Sequence, residues 1–291
     1  MSRRTLLGSL GTPVMVVAAV AGLILGFVFF AGGRPQLTFF SSDPVSCQVS
    51  SSEQPAIPPS GQNQSLLRDA ILHYATSRDV PQQSWQEITV TLNVIKQFQR
   101  PLNMLIFGLG LDSLMWASLN SPGKTVFLEE GEEWIQKILS KTSYLEAYHV
   151  PYRTKLLEAT ELLSSYKSEP SCSPGKAYLK GNLRCKLALE ALPDLVYETE
   201  WDLIMIDAPR GYFPEAPGRM GAIFSAAVMA RGRKESNVTH VFLHDVDRPV
   251  EKSFAEEFLC KKYLVNSAGR LWHFEIPSVQ LTGKDSGSTF C

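Results

Sequence analysis

The stretch LNMLIFGLGLDS, residues 102–113, decides the fold of this chain. A mostly apolar run of residues 102–107 leads directly into Gly108-Leu109-Gly110, and a second apolar run follows over residues 114–119. A short apolar run that ends in glycines is typical of a buried β-strand that turns tightly into a helix. We therefore expect a strand, a glycine turn and a helix here, with the turn at the carboxyl end of the strand.

Strands and helices alternate along the rest of the chain. Helices are predicted from about residue 65 to 74 and over residues 84–98, 132–139, 155–166 and 220–229. Further strands are predicted over residues 125–128, 144–150, 201–207, 240–245 and 271–276. Strands that alternate with helices and are buried on both faces indicate an α/β fold with a Rossmann-like, doubly wound and mainly parallel sheet.

The amino terminus contains a candidate membrane segment. No charged side chain occurs between Thr5 and Gly33, and residues 13–31 are almost all apolar or small. A helix of this length spans about 28 Å, which is close to the thickness of the hydrocarbon core of a bilayer. A cleaved signal peptide, whose apolar part is usually shorter, and a buried core helix are the alternatives. We expect an uncleaved transmembrane signal anchor over residues 13–31.

Two arginines orient this segment. Arg3 and Arg4 precede it, and only Arg34 follows it closely. The excess of positive charge before the segment predicts that residues 1–12 form a cytosolic tail and that the rest of the chain is luminal. Residues 32–64 are rich in serine and proline and predict a stem, so that the globular domain covers residues 65–291. This single-pass type II layout is common among Golgi enzymes, and we expect a Golgi membrane protein.

The composition excludes some classes of protein. With 28 Lys+Arg against 29 Asp+Glu, the chain of 291 residues lacks the basic excess of a nucleic-acid-binding protein. None of its 5 cysteines forms a C-x-x-C pair, so that a zinc site is not expected. Cys172 and Cys185 lie in one loop and could form a disulfide in an oxidising lumen. Sequons at Asn63 and Asn237 matter only if this side is luminal.

The ends of the first two strands predict a cofactor site, because ligands of such sheets bind beyond the carboxyl ends of the strands. Gly108 and Gly110 let the backbone approach a ligand, and Asp112 or Ser113 could cap the next helix. Glu129 ends the second strand, where an acid accepts both ribose hydroxyls of an adenosine. Because Ser113 replaces the third glycine of a dinucleotide fingerprint, S-adenosylmethionine is favoured over NAD. A merely tight turn and a solvated acid are the alternatives.

Acidic residues end two later strands. Asp207 follows one apolar strand, and His244-Asp245 follows the next. Carboxylates beside an imidazole can hold a divalent cation or act as a base. We therefore predict Asp207, His244 and Asp245 as catalytic residues, with Asp207 and Asp245 as metal ligands. The alternatives are that the two acids only cap helices and that His244 is structural.

A loop rich in proline and glycine follows Asp207. Such loops often carry function. Arg210 and Arg219 could bind a carboxylate with two hydrogen bonds each, as an acidic sugar requires. We predict these two arginines and Tyr212 as substrate-binding residues. Solvated arginines, or a salt bridge to Glu215, are the alternatives.

Several segments of the sequence resemble one protein family. They are residues 107–120, 125–130, 197–209, 215–220 and 244–246, and the likeness extends over residues 65–277. The family is that of the plant glucuronic acid 4-O-methyltransferases, which includes glucuronoxylan methyltransferases, arabinogalactan methyltransferases and irregular-xylem proteins. The resemblance implies the Rossmann-like fold of an S-adenosylmethionine-dependent methyltransferase.

The resemblance also implies an activity. It suggests a Golgi type II enzyme that methylates O4 of glucuronosyl residues on a cell-wall polysaccharide and requires a divalent metal ion. Leu111 stands where a histidine is expected in xylan-acting members. Residues 166–175 and 269–273 are closer to the arabinogalactan-acting branch. The expected acceptor is therefore an arabinogalactan glycan or a glucuronoxylan.

Two other functions compete with this one. Asp245-Val246-Asp247 is a D-x-D sequence, which in a metal-dependent glycosyltransferase would chelate the metal of a nucleotide sugar. Its late position in the chain argues against that role, because such motifs normally follow an early strand. A non-catalytic scaffold of a wall-synthesis complex is the third possibility, and the intact acids Glu129, Asp207 and Asp245 argue against it.

Overall fold

The computed structural model describes residues 60–78, 81–142, 144–234, 237–279 and 289–291, without the side chains of residues 60–64. The predicted cytosolic tail, the predicted anchor and almost all of the predicted stem lie outside these ranges. Within the described part of the chain, no helix is long and apolar enough to cross a bilayer.

Eight α-helices and seven strands make up the described part of the chain. The helices are α1 Ser60–Thr76, α2 Trp85–Gln97, α3 Ser113–Asn120, α4 Glu132–Leu139, α5 Ala159–Ser165, α6 Asp194–Glu198, α7 Met220–Arg231 and α8 Pro249–Phe254. The strands are β1 Asn103–Phe107, β2 Lys124–Glu129, β3 Glu146–His149, β4 Leu203–Ile206, β5 Val238–Leu243, β6 Leu264–Ala268 and β7 Leu271–Pro277.

The strands form one sheet in the order β3-β2-β1-β4-β5-β7-β6. The pairs from β3 to β5 are parallel, and β7 is antiparallel to both β5 and β6. The order reverses between β1 and β4, so that the carboxyl ends of these two strands flank the crevice where such sheets bind ligands. The predicted doubly wound and mainly parallel sheet is confirmed.

Strand β6 is an element that the sequence did not predict. Its sequence LVNSA is exposed over Val265–Ser267, because β6 is the last strand of the sheet and faces solvent. It forms a hairpin with β7 through Gly269-Arg270, where Gly269 has a φ of 52°. The predicted helix over residues 155–166 is shorter than expected, since it begins as a 3₁₀ turn at Leu156–Glu158 and only α5 is α-helical.

The core lies on both faces of the sheet. Alternate residues of β1 point to opposite sides, with Leu105 and Phe107 in one apolar cluster and Met104 and Ile106 in the other. The first cluster includes α7 and residues 254–260, and the second includes α3 and the side chains of α2 that meet the sheet. The sheet is therefore covered by helices on both sides, and its ligand-binding edge remains open.

Two disulfides join described cysteines. Cys172 and Cys185 are bonded to each other, as predicted. The sequence did not indicate the second bridge, which joins Cys260 to Cys291 and so fixes the carboxyl terminus beside α7. Cys47 lies outside the described residues.

Candidate active site

A cleft of about 540 Å³ opens at the carboxyl ends of β1, β2, β4 and β5. The structure brings most of the predicted site residues to its lining. They are Gly108, Gly110, Asp112, Glu129, Asp207, Arg210, Tyr212, Arg219 and Asp245. Two predicted residues, Ser113 and His244, are buried behind the lining.

The glycine turn after β1 forms one wall of the cleft. Gly108 has a φ of 124°, and a Cβ atom there would lie 3.1 Å from the Cβ of Ala208. Only glycine adopts this conformation without strain. The amide of Gly110 donates to the Oγ of Ser113 at 2.9 Å, so that Ser113 holds the turn.

Asp112 stands at the start of α3 but does not cap it. Its Oδ2 accepts a hydrogen bond from Trp116 Nε1 at 2.9 Å. The predicted helix-capping role of Asp112 is therefore wrong, because the indole of its own helix engages the carboxylate. Burial and the charge of Asp207 raise the pKa of Asp112 to about 6. The cleft thus contains two carboxylates that repel each other.

Glu129 is oriented by main-chain amides. Its Oε2 accepts from Leu109 N and its Oε1 from Gly131 N, each at 3.0 Å. Burial raises its pKa, although these two hydrogen bonds oppose the shift. Each carboxylate oxygen can accept more than one hydrogen bond, so Glu129 can still receive two ribose hydroxyls.

Trp134 lines the same side of the cleft, and the sequence analysis did not single it out. Its Nε1 donates to the carbonyl of Leu109, which fixes the indole against the glycine turn. The ring offers a flat apolar wall of the kind on which a nucleobase stacks. An aromatic residue in the first turn of the helix after an acidic strand end was the signal available.

Asp207, His244 and Glu87 form a line, in which Asp207 and His244 are hydrogen-bonded and Glu87 lies at ion-pair distance from His244. His244 Nδ1 lies 2.9 Å from Asp207 Oδ1, and His244 Nε2 lies 3.4 Å from Glu87 Oε1. Burial lowers the pKa of His244, but the carboxylates of Asp207 and Asp245 outweigh it and the net pKa is raised. Burial also opposes ionisation of Asp207, yet His244 and Arg219 lower its pKa.

Glu87 reaches this line from α2, and the sequence analysis missed it. Ser84 caps α2, and the Ser84 amide donates to Glu87 Oε2 at 2.6 Å. The amide of Arg270 donates to Glu87 Oε1 at 2.7 Å. These hydrogen bonds lower the pKa of Glu87 against the effect of burial. The sequence S-x-x-E marked a capping box, but it did not reveal that the glutamate would be buried beside His244.

Asp245 is surrounded by guanidinium groups. Arg219 approaches its Oδ2 at 2.7 Å and Arg248 approaches the same oxygen at 2.9 Å. Arg270 donates to Oδ1. Asp245 is buried and has a φ of 60°, which aims its carboxylate at these three cations.

The predicted metal ligands are close together, but their surroundings do not fit a divalent cation. Oxygen and nitrogen atoms of Asp207, His244 and Asp245 all lie within 4.8 Å of one another. Both oxygens of Asp245 are nevertheless bonded to arginines, and Arg219 also lies 3.3 Å from Asp207 Oδ1. A metal ion would have to displace guanidinium groups of its own charge sign, and that of Arg219 is buried.

Arg219 has a different role from the predicted one. It is 4% exposed, and its guanidinium donates to the carbonyl oxygens of Pro209, Asp207 and His244 as well as to the carboxylate of Asp245. These contacts use its donors to hold the floor of the cleft together. The prediction that Arg219 binds the substrate carboxylate is therefore corrected.

Arg210 and Tyr212 lie at the mouth of the cleft and are exposed. Glu130 Oε1 accepts from both the amide of Arg210, at 2.9 Å, and its Nε, at 2.8 Å. The partner of Arg210 is thus Glu130 rather than Glu215. This pair ties the loop after β4 to the end of β2.

The fold and the cleft together define a class of enzyme. A seven-stranded sheet in this order, with a glycine turn after β1 and an acid at the end of β2, is the arrangement of an S-adenosylmethionine-dependent methyltransferase. The chain matches the model of the IRX15/IRX15L/GXM family over residues 86–274, and it belongs to this family. The resemblance found in the sequence is confirmed.

Curated relatives from Arabidopsis thaliana include O-methyltransferases. The chain is 54% identical to Arabinogalactan O-methyltransferase 1, over 96% of this chain and 96% of that protein. It is 49% identical to Glucuronoxylan 4-O-methyltransferase 1, over 77% of this chain and 79% of that protein. It is also 40% identical to Protein IRX15-LIKE, over 77% and 70% of the two chains. The protein is an O-methyltransferase by these relationships.

Solved structures provide more distant comparisons. A putative caffeoyl-CoA O-methyltransferase from Staphylococcus aureus has a TM-score of 0.38 and 14% identity, and covers 75% of this chain and 99% of that one. A methyltransferase-like protein from Silicibacter pomeroyi has a TM-score of 0.37 and 14% identity, over 70% and 91%.

Proposed function

We propose that this protein transfers the methyl group of S-adenosylmethionine to O4 of a glucuronosyl residue on a cell-wall polysaccharide, and that its acceptor is an arabinogalactan glycan. The likeness to Arabinogalactan O-methyltransferase 1 covers nearly all of both chains, whereas the likeness to Glucuronoxylan 4-O-methyltransferase 1 covers about three quarters. Glucuronoxylan is the alternative acceptor.

One observation supports the cofactor above all others. The cleft contains two coupled carboxylates, Asp112 and Asp207, beside the ribose-binding candidate Glu129. A ligand that carries both an adenosine and a positive charge satisfies all three acids, and a cation next to two carboxylates relieves their repulsion. S-adenosylmethionine has both parts, while NAD would bring phosphates towards the carboxylates. The residues therefore fit this cofactor.

Each part of the cofactor has a candidate partner in the cleft. Glu129 would bind the ribose, and Trp134 would cover the base. The turn from Gly108 to Gly110 would hold the methionine part, with Asp112 near its ammonium group. In the transfer, the electron pair of O4 forms the new bond to the methyl carbon, and the electrons of the carbon–sulfur bond remain on sulfur.

The proton of the acceptor hydroxyl needs a base, because a sugar hydroxyl is a weak acid. Asp207 faces the cleft and contacts His244 behind it. We assign the proton to Asp207, which passes it to His244. The carboxylates of Glu87, Asp207 and Asp245 around the ring stabilise the resulting imidazolium. This route needs the neutral form of His244 at the start of the step.

The structure offers less support for two other predictions, the divalent metal ion and the glycosyltransferase activity. The divalent metal that the family resemblance implies would need a rearrangement of Arg219 around Asp207 and Asp245. The glycosyltransferase alternative is less well supported, since Asp245 is buried against arginines while Asp247 is exposed and does not line the cleft.

The proposal also includes the location of the protein. We propose that residues 1–12 are a cytosolic tail, that residues 13–31 are the anchor and that the domain is luminal in the Golgi. Two disulfides among described cysteines suit an oxidising compartment. Protease digestion of sealed Golgi vesicles tests it. An epitope tag is placed on residues 1–12. If the protease removes only this tag, the domain is luminal, and if the protease also digests the domain, the proposal is contradicted.

The activity is tested with the full chain in detergent. Labelled S-adenosylmethionine is added with glucuronosylated arabinogalactan or with glucuronoxylan, each with a divalent cation and with a chelator. Label in arabinogalactan alone supports the proposal, and label in xylan alone corrects the acceptor. Cofactor binding without label in either polymer rejects both acceptors. A folded protein that does not bind the cofactor supports the scaffold instead. Activity in chelator rejects the metal requirement.

A further inference from the structure

Arg248 occupies an unassigned position on the cleft. It is the residue before α8, it lines the cleft, and its side chain is 30% exposed. Its Nη2 lies 2.9 Å from Asp245 Oδ2, and its Nη1 lies 3.5 Å from Glu251 Oε1. The guanidinium is thus held from behind by two carboxyl groups while one side faces the cleft.

Glu251 is the deeper of these two carboxyl groups. It is fully buried, and neither of its side-chain oxygens accepts a hydrogen bond. Burial raises its pKa. Glu251 thus lies behind the guanidinium of Arg248 without accepting a hydrogen bond from it.

Three guanidinium groups converge on Asp245, and Asp207 and Glu251 lie beside two of them. Arg219, Arg248 and Arg270 all contact the one carboxylate of Asp245. Arg219 also donates hydrogen bonds to main-chain carbonyl oxygens, and Arg270 does not line the cleft. Arg248 is therefore the member of the three that can offer donors to a bound anion. A guanidinium group at this position is unfavourable for a metal ion and favourable for a carboxylate.

The loop after β4 covers this group closely. A Cβ atom on Gly211 would lie 2.8 Å from Glu251 Oε1 and 3.7 Å from Arg248 Nη1. Glycine at this position lets the loop backbone lie against the pair. An anion bound to Arg248 would lie in the cleft that Asp207 also lines, and Asp207 is the residue to which the acceptor's proton is assigned.

We propose that Arg248 binds the carboxylate of the acceptor's uronic acid and so selects an acidic sugar. This inference rests on the proposed function, because it takes the acceptor to be a uronosyl residue. Arg248 replaces Arg219 in the role that the sequence predicted. A guanidinium that pairs with a carboxylate contributes about 1.5–3 kcal/mol, which corresponds to roughly a 10- to 150-fold effect on binding.

The test compares two acceptors that differ only in the carboxylate. The full-length protein and its Arg248→Gln and Arg248→Lys variants are assayed with a glucuronosylated oligosaccharide and with its carboxyl-reduced, glucosyl form. Lys252→Gln, which removes an exposed charge from the same helix, is the matched control. The affinity for S-adenosylmethionine is measured for every variant and reports whether the cleft is intact.

We expect Arg248→Gln to reduce kcat/KM for the glucuronosyl acceptor about 10- to 150-fold, mainly through KM. Its rate on the carboxyl-reduced acceptor should fall much less, and its cofactor affinity should match that of the wild type. Arg248→Lys should recover part of the loss. An equal loss on both acceptors, or no loss on the acidic one, would overturn the inference.

Direct binding separates this inference from the proposed function. If the wild type transfers no methyl group to either acceptor, the proposed function fails. Calorimetry with the same glucuronosylated oligosaccharide then tests whether Arg248 binds the carboxylate. Binding to the wild type and not to Arg248→Gln supports the carboxylate site, and equal binding or none overturns it.

Discussion

Asp112 leads to a prediction about the cofactor. Burial and the charge of Asp207 raise its pKa to about 6, so that it is ionised at neutral pH and protonated below that value. A positively charged ligand favours the ionised form. The affinity for S-adenosylmethionine should therefore fall as the pH drops through about 6. Calorimetric titrations on both sides of this pH measure the effect.

The Asp112→Asn variant checks the assignment. The variant loses one charge–charge interaction with the cofactor. If this interaction contributes about 1.4 kcal/mol, cofactor binding should weaken about tenfold at neutral pH. The remaining affinity should no longer change near pH 6. Asp194→Asn, which changes a largely exposed aspartate paired with Lys180, serves as the control. A pH dependence that survives in Asp112→Asn would exclude Asp112 as its source.

Glu87 leads to a second prediction at the level of single residues. Its carboxylate lies 3.4 Å from His244 Nε2 and stabilises the protonated ring. Glu87→Gln should therefore lower the pKa of His244 and shift the acid limb of the kcat profile to lower pH. The rate at the optimum should fall about 10- to 100-fold, as expected when a proton acceptor is weakened.

The measurement is a pH profile of kcat at saturating cofactor. Glu275→Gln provides a matched control, because Glu275 faces His240 at 3.8 Å, away from the lining of the cleft. Unchanged cofactor affinity in Glu87→Gln would show that the fold is kept. A lower rate with an unshifted acid limb would mean that Glu87 only supports the structure.

Individual residues also show which parts of the site can be predicted from the sequence and which cannot. Residues at strand ends, such as Glu129 and Asp207, could be placed because parallel strands bring their carboxyl ends together. Glu87 and Arg248 come from helical segments, and nothing in their local pattern says which strand ends they meet. Arg219 was misassigned, because the sequence indicates charge but not the carbonyl groups that surround it.

At the scale of elements, the turn after β1 can be tested directly. Gly108→Ala places a Cβ atom 3.1 Å from Ala208 in a backbone conformation that L-residues rarely adopt. Strain of this kind costs about 1–3 kcal/mol. We expect a lower Tm and a loss of cofactor affinity of at least tenfold, both measured by thermal shift with and without the cofactor.

A substitution at a second glycine distinguishes the effect of backbone strain from the effect of a position beside the cofactor site. Gly175 has a φ of 73° and no atom within 4 Å of the place where a Cβ would lie. Gly175→Ala should lower the Tm through strain alone and leave cofactor affinity unchanged. Equal effects of the two substitutions on affinity would mean that the turn after β1 has no special role in binding.

The elements that could be predicted are those with a clear apolar pattern. Strands β1, β2, β4 and β5 are buried and were found close to their true positions. Strand β6 was missed because an exposed edge strand can be polar, and its pairing with β7 alone makes it a strand. That omission also hid the origin of Arg270, which lies in the β6–β7 turn and reaches Asp245.

At the scale of the whole molecule, the two disulfides predict how the fold responds to reduction. Cys172–Cys185 and Cys260–Cys291 close loops with sequence separations of 13 and 31 residues. Bridges of this size contribute roughly 3 kcal/mol each by restricting the unfolded chain. The Tm should therefore fall on reduction, and thermal unfolding with and without a reductant measures this.

The variants Cys172→Ser with Cys185→Ser, and Cys260→Ser with Cys291→Ser, test the bridges separately. The second pair should also loosen the carboxyl terminus, where Phe290 packs against Phe224 and Phe258. Cys47→Ser is the control. A Tm that reductant does not change in the wild type would mean that the bridges are not formed in the purified protein.

The overall topology was predictable, and the balance of charge at the site was not. Alternating strands and helices indicated a doubly wound sheet and thus the edge at which ligands bind. The state of Asp245 depends on arginines from three separate segments, before α7, before α8 and between β6 and β7. Such a convergence is a property of the folded chain, so the predicted metal site could be judged only after folding was known.

The neighbours Glu129 and Glu130 connect the proposed sites of the two substrates. Glu129 faces the proposed ribose site, while Glu130 holds the loop that carries Arg210, on the proposed acceptor side of the cleft. Because the two residues share a peptide unit, we expect binding of the ribose at Glu129 to hold Glu130, and with it the Arg210 loop, in place. In kinetic terms this favours an ordered mechanism in which the methyl donor binds first and its demethylated product leaves last.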